Sequence, residues 1–185
     1  GVAAELAIRG GFQAALLAPT EVLAEQHLRT LSGWFEARGR SVTLLTASVP
    51  TRAKRAAKAA LPRGEIDLLV GTHAMLQEDV AFGRLGLVVV DEQHRFGVLQ
   101  RAALVQKGVH PDVLVMTATP IPRTLAMALY GDLDVSVLDE LPPGRTPVET
   151  RVFPRRQRDE AYRLVAEQVA RGRQAFVVYP LVEES

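Results

Sequence analysis

Leu87-Val88-Val89-Val90-Asp91-Glu92-Gln93-His94 carries the clearest structural signal in the chain. Four apolar residues stop abruptly at two carboxylates. Such a run reads as a strand buried on both faces, the kind found in a parallel sheet covered by helices on each side. Working outward, residues 13–18, 41–46, 66–70 and 113–116 have the same form. Each is apolar on both faces rather than alternating and gives way to a loop of small or polar residues.

Helical patterns separate most of these strands. Ala24, Leu28, Leu31 and Phe35 form one stripe over residues 21–37, with Gly39 as a stop. Thr51 is placed to cap a second helix. Its thin apolar side is Ala53, Ala56, Ala57 and Ala60, and Pro62-Arg63-Gly64 ends it. A shorter helix is expected over 98–106 and another over 122–130, where Pro122 suits a first turn and Gly131 a close. Strands alternating with helices predict an α/β domain with right-handed crossovers. Leu141-Pro142-Pro143-Gly144-Arg145 then reads as an interdomain linker. Beyond it an extended segment (148–153), a helix bearing Ala161, Leu164, Val165 and Val169, and a strand (174–179) read as the start of a second domain. The expected division is 1–140, 141–147 and 148–185.

Composition narrows the classes. Of 185 residues, 48% are hydrophobic and 23% charged, which fits a packed globular chain rather than a disordered one. No apolar run is long enough to cross a bilayer. The absence of cysteine excludes a disulfide framework and cysteine-ligated zinc, and fits a reducing cytosol. A formal net charge of +1 gives no global attraction for nucleic acid, so any such contact must be local. Aromatic residues are only 5%, which favours backbone contact over base stacking.

In an open parallel sheet, ligands collect at the carboxyl ends of the strands. Asp91-Glu92 there is a Walker B arrangement: one carboxylate can organise the water shell of Mg²⁺, and its neighbour can orient or deprotonate an attacking water. Taken alone, the pair reads as well as a cap for the next helix. Thr117-Ala118-Thr119-Pro120 offers two hydroxyls after the 113–116 strand, or an ordinary threonine-capped turn. Pro19-Thr20-Glu21 and Gly71-Thr72-His73-Ala74 each pair a hydroxyl with a tight turn, suited to gripping phosphates or simply to capping a helix. His27, His73 and His94 lie in or just after these segments, but their spacing matches no common metal-ligand pattern.

Together, motifs at four strand ends in fixed order are far more specific than any one of them. Ala18-Pro19-Thr20-Glu21 with Ala24-Glu25-Gln26-His27 resembles motif Ia of superfamily 2 helicases. Val70-Gly71-Thr72-His73-Ala74 is similar to the next nucleic-acid-contacting motif, and Asp91-Glu92-Gln93-His94 to the DExH box. Thr117-Ala118-Thr119-Pro120-Ile121-Pro122-Arg123-Thr124 resembles motif III as shared by RecG and the transcription-repair coupling factor. Gln93, and Tyr130-Gly131-Asp132-Leu133-Asp134-Val135 running into the linker, resemble the RecG branch.

The resemblance implies a RecA-like parallel sheet sandwiched by helices, followed by the start of a second RecA-like domain. It implies ATP and Mg²⁺ as cofactors, with Glu92 and Asp91 catalytic and Asp91 holding Mg²⁺ through water. Gln93, His94, Thr117, Thr119 and Arg123 would couple nucleotide to DNA. Pro19, Thr20, Gln26, Gly71, Thr72 and His73 would contact DNA, branched or forked, through its backbone. A cytoplasmic, nucleoid-associated helicase of recombination and repair is implied. A coupling-factor motor and a non-catalytic RecA-like interaction module are the alternatives; intact Asp91, Glu92, Thr117 and Thr119 weigh against the second.

The family's GxxxxGK[ST] phosphate loop does not occur in these residues and is expected just upstream of a helix at 2–8; arginine fingers are expected past Ser185, and a wedge domain elsewhere in the polypeptide. The family pattern also implies that the strand leading into the phosphate loop lies between the 87–90 and 113–116 strands. A vacancy is therefore expected there, leaving the isolated chain aggregated, partly molten or completed by a borrowed strand. A polypeptide of these residues alone is expected to show no DNA-stimulated ATPase above a denatured control; turnover abolished by Glu92→Gln would contradict that.

Overall fold

A computed structural model describes residues 1–92, 104–108, 110–118, 134–140 and 144–179. The chain divides into two compact units, Gly1–Asp132 and Leu133–Ser185. In the first, helix α1 (Val2–Arg9) precedes strand β1 (Gln13–Leu17), α2 (Glu21–Glu36) and β2 (Val42–Leu45). Then come α3 (Thr51–Ala60), β3 (Leu68–Gly71), β4 (Leu85–Val90) and β5 (Asp112–Val115).

The five strands form one parallel sheet in the order β2-β3-β1-β4-β5. Alternating side chains feed two cores, the reason these strands carry apolar residues toward both faces. Ala15, Leu17, Leu69, Val88 and Val90 point to one face with Leu45, Leu61 and Met75. Ala14, Leu16, Leu68, Val70, Leu87 and Val89 point to the other, under Ala4 and Ile8 of α1 and Ala24 and Phe35 of α2. Thr20 caps α2, its hydroxyl accepting the Leu23 N–H at 3.3 Å. Past its end, Gly39 takes φ +69°, a conformation that glycine adopts without a Cβ penalty.

The expected vacancy does not exist. β4 and β5 pair directly, Leu87 opposite Asp112 through Val90 opposite Val115. Their N–H and C=O groups satisfy one another, so this part of the sheet leaves no row of unpaired backbone groups between them. Two further expectations change. Thr51 is the first residue inside α3 rather than its cap, and Pro50 precedes it with no side-chain cap bond. Ala53 and Ala56 are exposed while Ala57 is buried, because α3 meets the sheet only through its last turns and Leu61.

In the second unit, helix α4 (Arg158–Ala170) forms where expected, after a turn at Arg155–Gln157. Residues 174–179 are not a strand: no ladder partner exists for them among the described residues, and Phe176 and Val178 are each 90% exposed. A strand needs a neighbour for its backbone groups, and apolar composition does not supply one. Of the helix expected over 98–106, Leu104 and Val105 are helical and residues 98–103 lie outside the described residues, as do the 122–130 helix and Leu141-Pro142-Pro143.

One polar side chain closes the amino end of the sheet. Gln13 is buried, its Nε2 donating to the carbonyls of Leu61 (3.0 Å) and Ile66 (2.7 Å) while its Oε1 accepts the Arg84 N–H (3.0 Å). Gln13→Ala takes the partner from the Ile66 carbonyl and the Arg84 N–H, while Leu61 O keeps the Gly64 and Gly83 N–H groups, and is expected to cost ~1–3 kcal/mol, read as a lowered urea midpoint.

At the other end, the Glu21 carboxylate accepts the Ser48 N–H at 3.1 Å, tying the start of α2 to the loop after β2. Hydrogen bonding from Ser48 holds the Glu21 carboxyl below its ordinary value of 4.5. Its contribution is therefore present above that value and lost as pH falls through the lowered one. The stability difference between wild type and Glu21→Gln, followed by urea unfolding, should exist at pH 7 and vanish in acid.

Candidate functional site

The register brings the carboxyl ends of all five strands into one row. Leu17 sits opposite both Gly71 and Val90, Gly71 opposite Leu45, and Val90 opposite Val115. The residue after β1, β3, β4 and β5 continues the ladder by one bond. Ala18 N–H donates to Gly71 O (2.8 Å), Thr72 to Leu45 O (3.3 Å), Asp91 to Leu17 O (2.9 Å) and Met116 to Val90 O (2.8 Å). The loops beginning at Pro19, Thr72, Asp91 and Thr117 therefore leave from a single edge. Four motifs scattered along the chain become one surface.

Asp91 and Glu92 are half-buried where β4 ends, between the ends of β1 and β5. Asp91 Oδ1 accepts the Glu92 N–H at 3.0 Å, and Oδ2 lies 2.7 Å from His27 Nε2 on α2. An ionised carboxylate only accepts, so with Asp91 ionised the histidine nitrogen carries the hydrogen. Glu92 takes φ +51°, a left-handed conformation that costs a residue with a side chain about 1–3 kcal/mol. The chain turns sharply immediately after the strand.

Adjacent carboxylates of this kind suit a hard cation that keeps most of its water. Among the described residues no group of three or more histidine, cysteine, aspartate or glutamate side chains could cage a metal. Mg²⁺ is ordinarily held through one or two carboxylates plus substrate phosphates, so the donor set fits it.

Thr20 is exposed at the start of α2, Gln26 is exposed on it, and Pro19 is half-buried between β1 and α2. Gly71 is required by packing: a Cβ there would sit 2.2 Å from Leu45 O and 2.9 Å from Met75 Cγ. Thr72, expected at the surface, is instead 1% exposed, with its amide committed to Leu45 O and its Oγ1 buried without a hydrogen-bond partner. The tight approach of β2 draws it inward, and His73 is the member of the trio left exposed. Thr117 is exposed after β5, while Gln93, His94, Thr119 and Arg123 lie outside the described residues. Sequence reading placed His27 in a motif but did not link it to Asp91. The only signal was a histidine on a helix leaving the same sheet edge.

Comparison with known proteins agrees with this geometry. The DEAD/DEAH box helicase family matches residues 2–128. An ATP-dependent DNA helicase RecG of Synechocystis sp. is 58% identical over 97% of this chain and 22% of its own length. That of Thermotoga maritima is 52% identical over 100% of this chain and 24% of its own. A solved structure of RecG bound to a three-way DNA junction superimposes with a TM-score of 0.76 at 48% identity, over 94% of this chain and 23% of that one. The chain thus spans about a quarter of these relatives, and its sheet is RecA-like. Matched over more than half its length, the chain belongs to the DEAD/DEAH box helicase family.

Proposed function

We propose that this chain is the ATP-hydrolysing core of a longer, cytoplasmic and nucleoid-associated DNA helicase that remodels branched DNA such as forks and Holliday junctions. The observation that carries the reading is the Asp91-Glu92 pair, held half-buried on the carboxyl edge between the ends of β1 and β5. The relatives named RecG, one of them bound to a three-way junction, support this reading over a coupling-factor motor.

Residues 1–140 are the first motor domain, 141–147 a linker and 148–185 the start of the second. Asp91, fixed at both oxygens, orders the waters around Mg²⁺. Glu92 accepts a proton from, or orients, the attacking water. When bound, Mg²⁺-ATP supplies the phosphoryl group and neutralises its developing charge. Thr117 and Thr119, with Gln93, His94 and Arg123, pass the state of that site to the DNA track. Pro19, Thr20, Gln26 and His73 meet the sugar-phosphate backbone, and Gly71 and Thr72 set the turn that presents His73. Such contacts position DNA without reading its sequence.

The test uses the full-length polypeptide carrying this segment. Branched DNA should stimulate ATP hydrolysis. Glu92→Gln should lower kcat by about 10²–10⁴-fold, with ATP binding retained. Hydrolysis at the normal rate by Glu92→Gln would overturn the assignment.

A further inference from the structure

Asp91 is met by a side chain from a distant part of the chain. His27 Nε2 and Asp91 Oδ2 are 2.7 Å apart and separated by 64 positions in sequence. The two side chains are 26% and 20% exposed, so the bond is partly shielded from water. The second Asp91 oxygen is taken by the Glu92 N–H. Bonds at both oxygens leave the carboxylate no freedom to rotate without breaking one of them.

The position of His27 on its helix matters as much as the bond. It follows the Thr20 cap by seven residues, close to two turns, so cap and histidine lie near one face, ~10 Å apart along the axis. Gln26 is its neighbour in sequence. A continuous helix, Glu21–Glu36, therefore joins the exposed residues at its start to the carboxylate at the end of β4. Any displacement of α2 along or about its axis moves the donor that holds Asp91.

We propose that His27 is a positioning residue: it holds the Asp91 carboxylate in the orientation that serves hydrated Mg²⁺, and it couples DNA contact at the start of α2 to that orientation. The inference rests on the proposed helicase reading, in which Thr20 and Gln26 meet DNA. A histidine that merely pinned α2 to the sheet would affect stability. It would not alter the dependence of nucleotide binding on Mg²⁺.

The experiment uses the full-length polypeptide and three readouts: binding of a fluorescent ATP analogue titrated with Mg²⁺, DNA-stimulated kcat, and affinity for forked DNA. His27→Ala should raise the Mg²⁺ concentration for half-maximal analogue binding and lower DNA-stimulated kcat, each on the order of tenfold, as expected for losing a hydrogen bond to a charged group. DNA affinity should stay at the wild-type level. His27→Gln, whose amide nitrogen reaches about as far as Nε2, should restore most of both losses; His27→Asn, one bond shorter, should not.

A stimulated wild type with His27→Ala unchanged in Mg²⁺ dependence and kcat overturns this inference alone. So does a His27→Gln protein as impaired as His27→Ala. A wild type without DNA-stimulated turnover overturns the helicase reading and this inference with it. Should His27→Ala fail to fold by circular dichroism, the contrast between the glutamine and asparagine variants decides.

Discussion

The structure depends on the row of backbone hydrogen bonds that crosses the sheet just beyond its last regular rung. Ala18 to Gly71, Thr72 to Leu45, Asp91 to Leu17 and Met116 to Val90 each extend one strand by a single residue onto its neighbour. Every loop of interest leaves from this row. Because each bond fixes where a loop starts, relative positions at the edge are set by the ladder rather than by the loops. A slip of one residue in any strand would exchange its two faces, sending Leu17 or Val90 into the wrong core. Hydrophobic burial on both sides thereby protects the geometry of the polar edge.

The two ends of the sheet are treated differently. At the amino end, Gln13 answers three backbone groups at once. The carboxyl edge carries unfavourable features. Glu92 sits at φ +51°, and the Thr72 hydroxyl is buried without a partner. Each costs free energy that the packed sheet must offset. Strain at the edge bearing the carboxylates fits a fold whose stability is spent where chemistry is proposed.

Charge acts here by placement. A formal net charge of +1 gives the chain no long-range pull on DNA. What the edge offers is polar groups at set positions: the Thr20 cap, the exposed Gln26 and His73, and the Asp91 carboxylate held by His27. Contacts of this kind hold a backbone in register without distinguishing bases.

By itself the sequence determined the strands, their order along the chain, the helices α1 and α2, and the identity of the chemistry-bearing motifs. Those features are local. Unbroken apolar runs such as Leu87–Val90 mark strands buried on both faces, and a carboxylate pair directly after one needs no neighbour to be recognised. Tertiary structure alone decided which strands are neighbours, and so replaced an expected gap between β4 and β5 with a ladder. It also drew Thr72 inward, left 174–179 without a ladder partner among the described residues, and brought His27 against Asp91. Each of these depends on what lies alongside a residue in space. Strand pairing and a hydrogen bond across 64 positions leave no periodic trace in the chain, because the partner's position is set by packing and not by spacing.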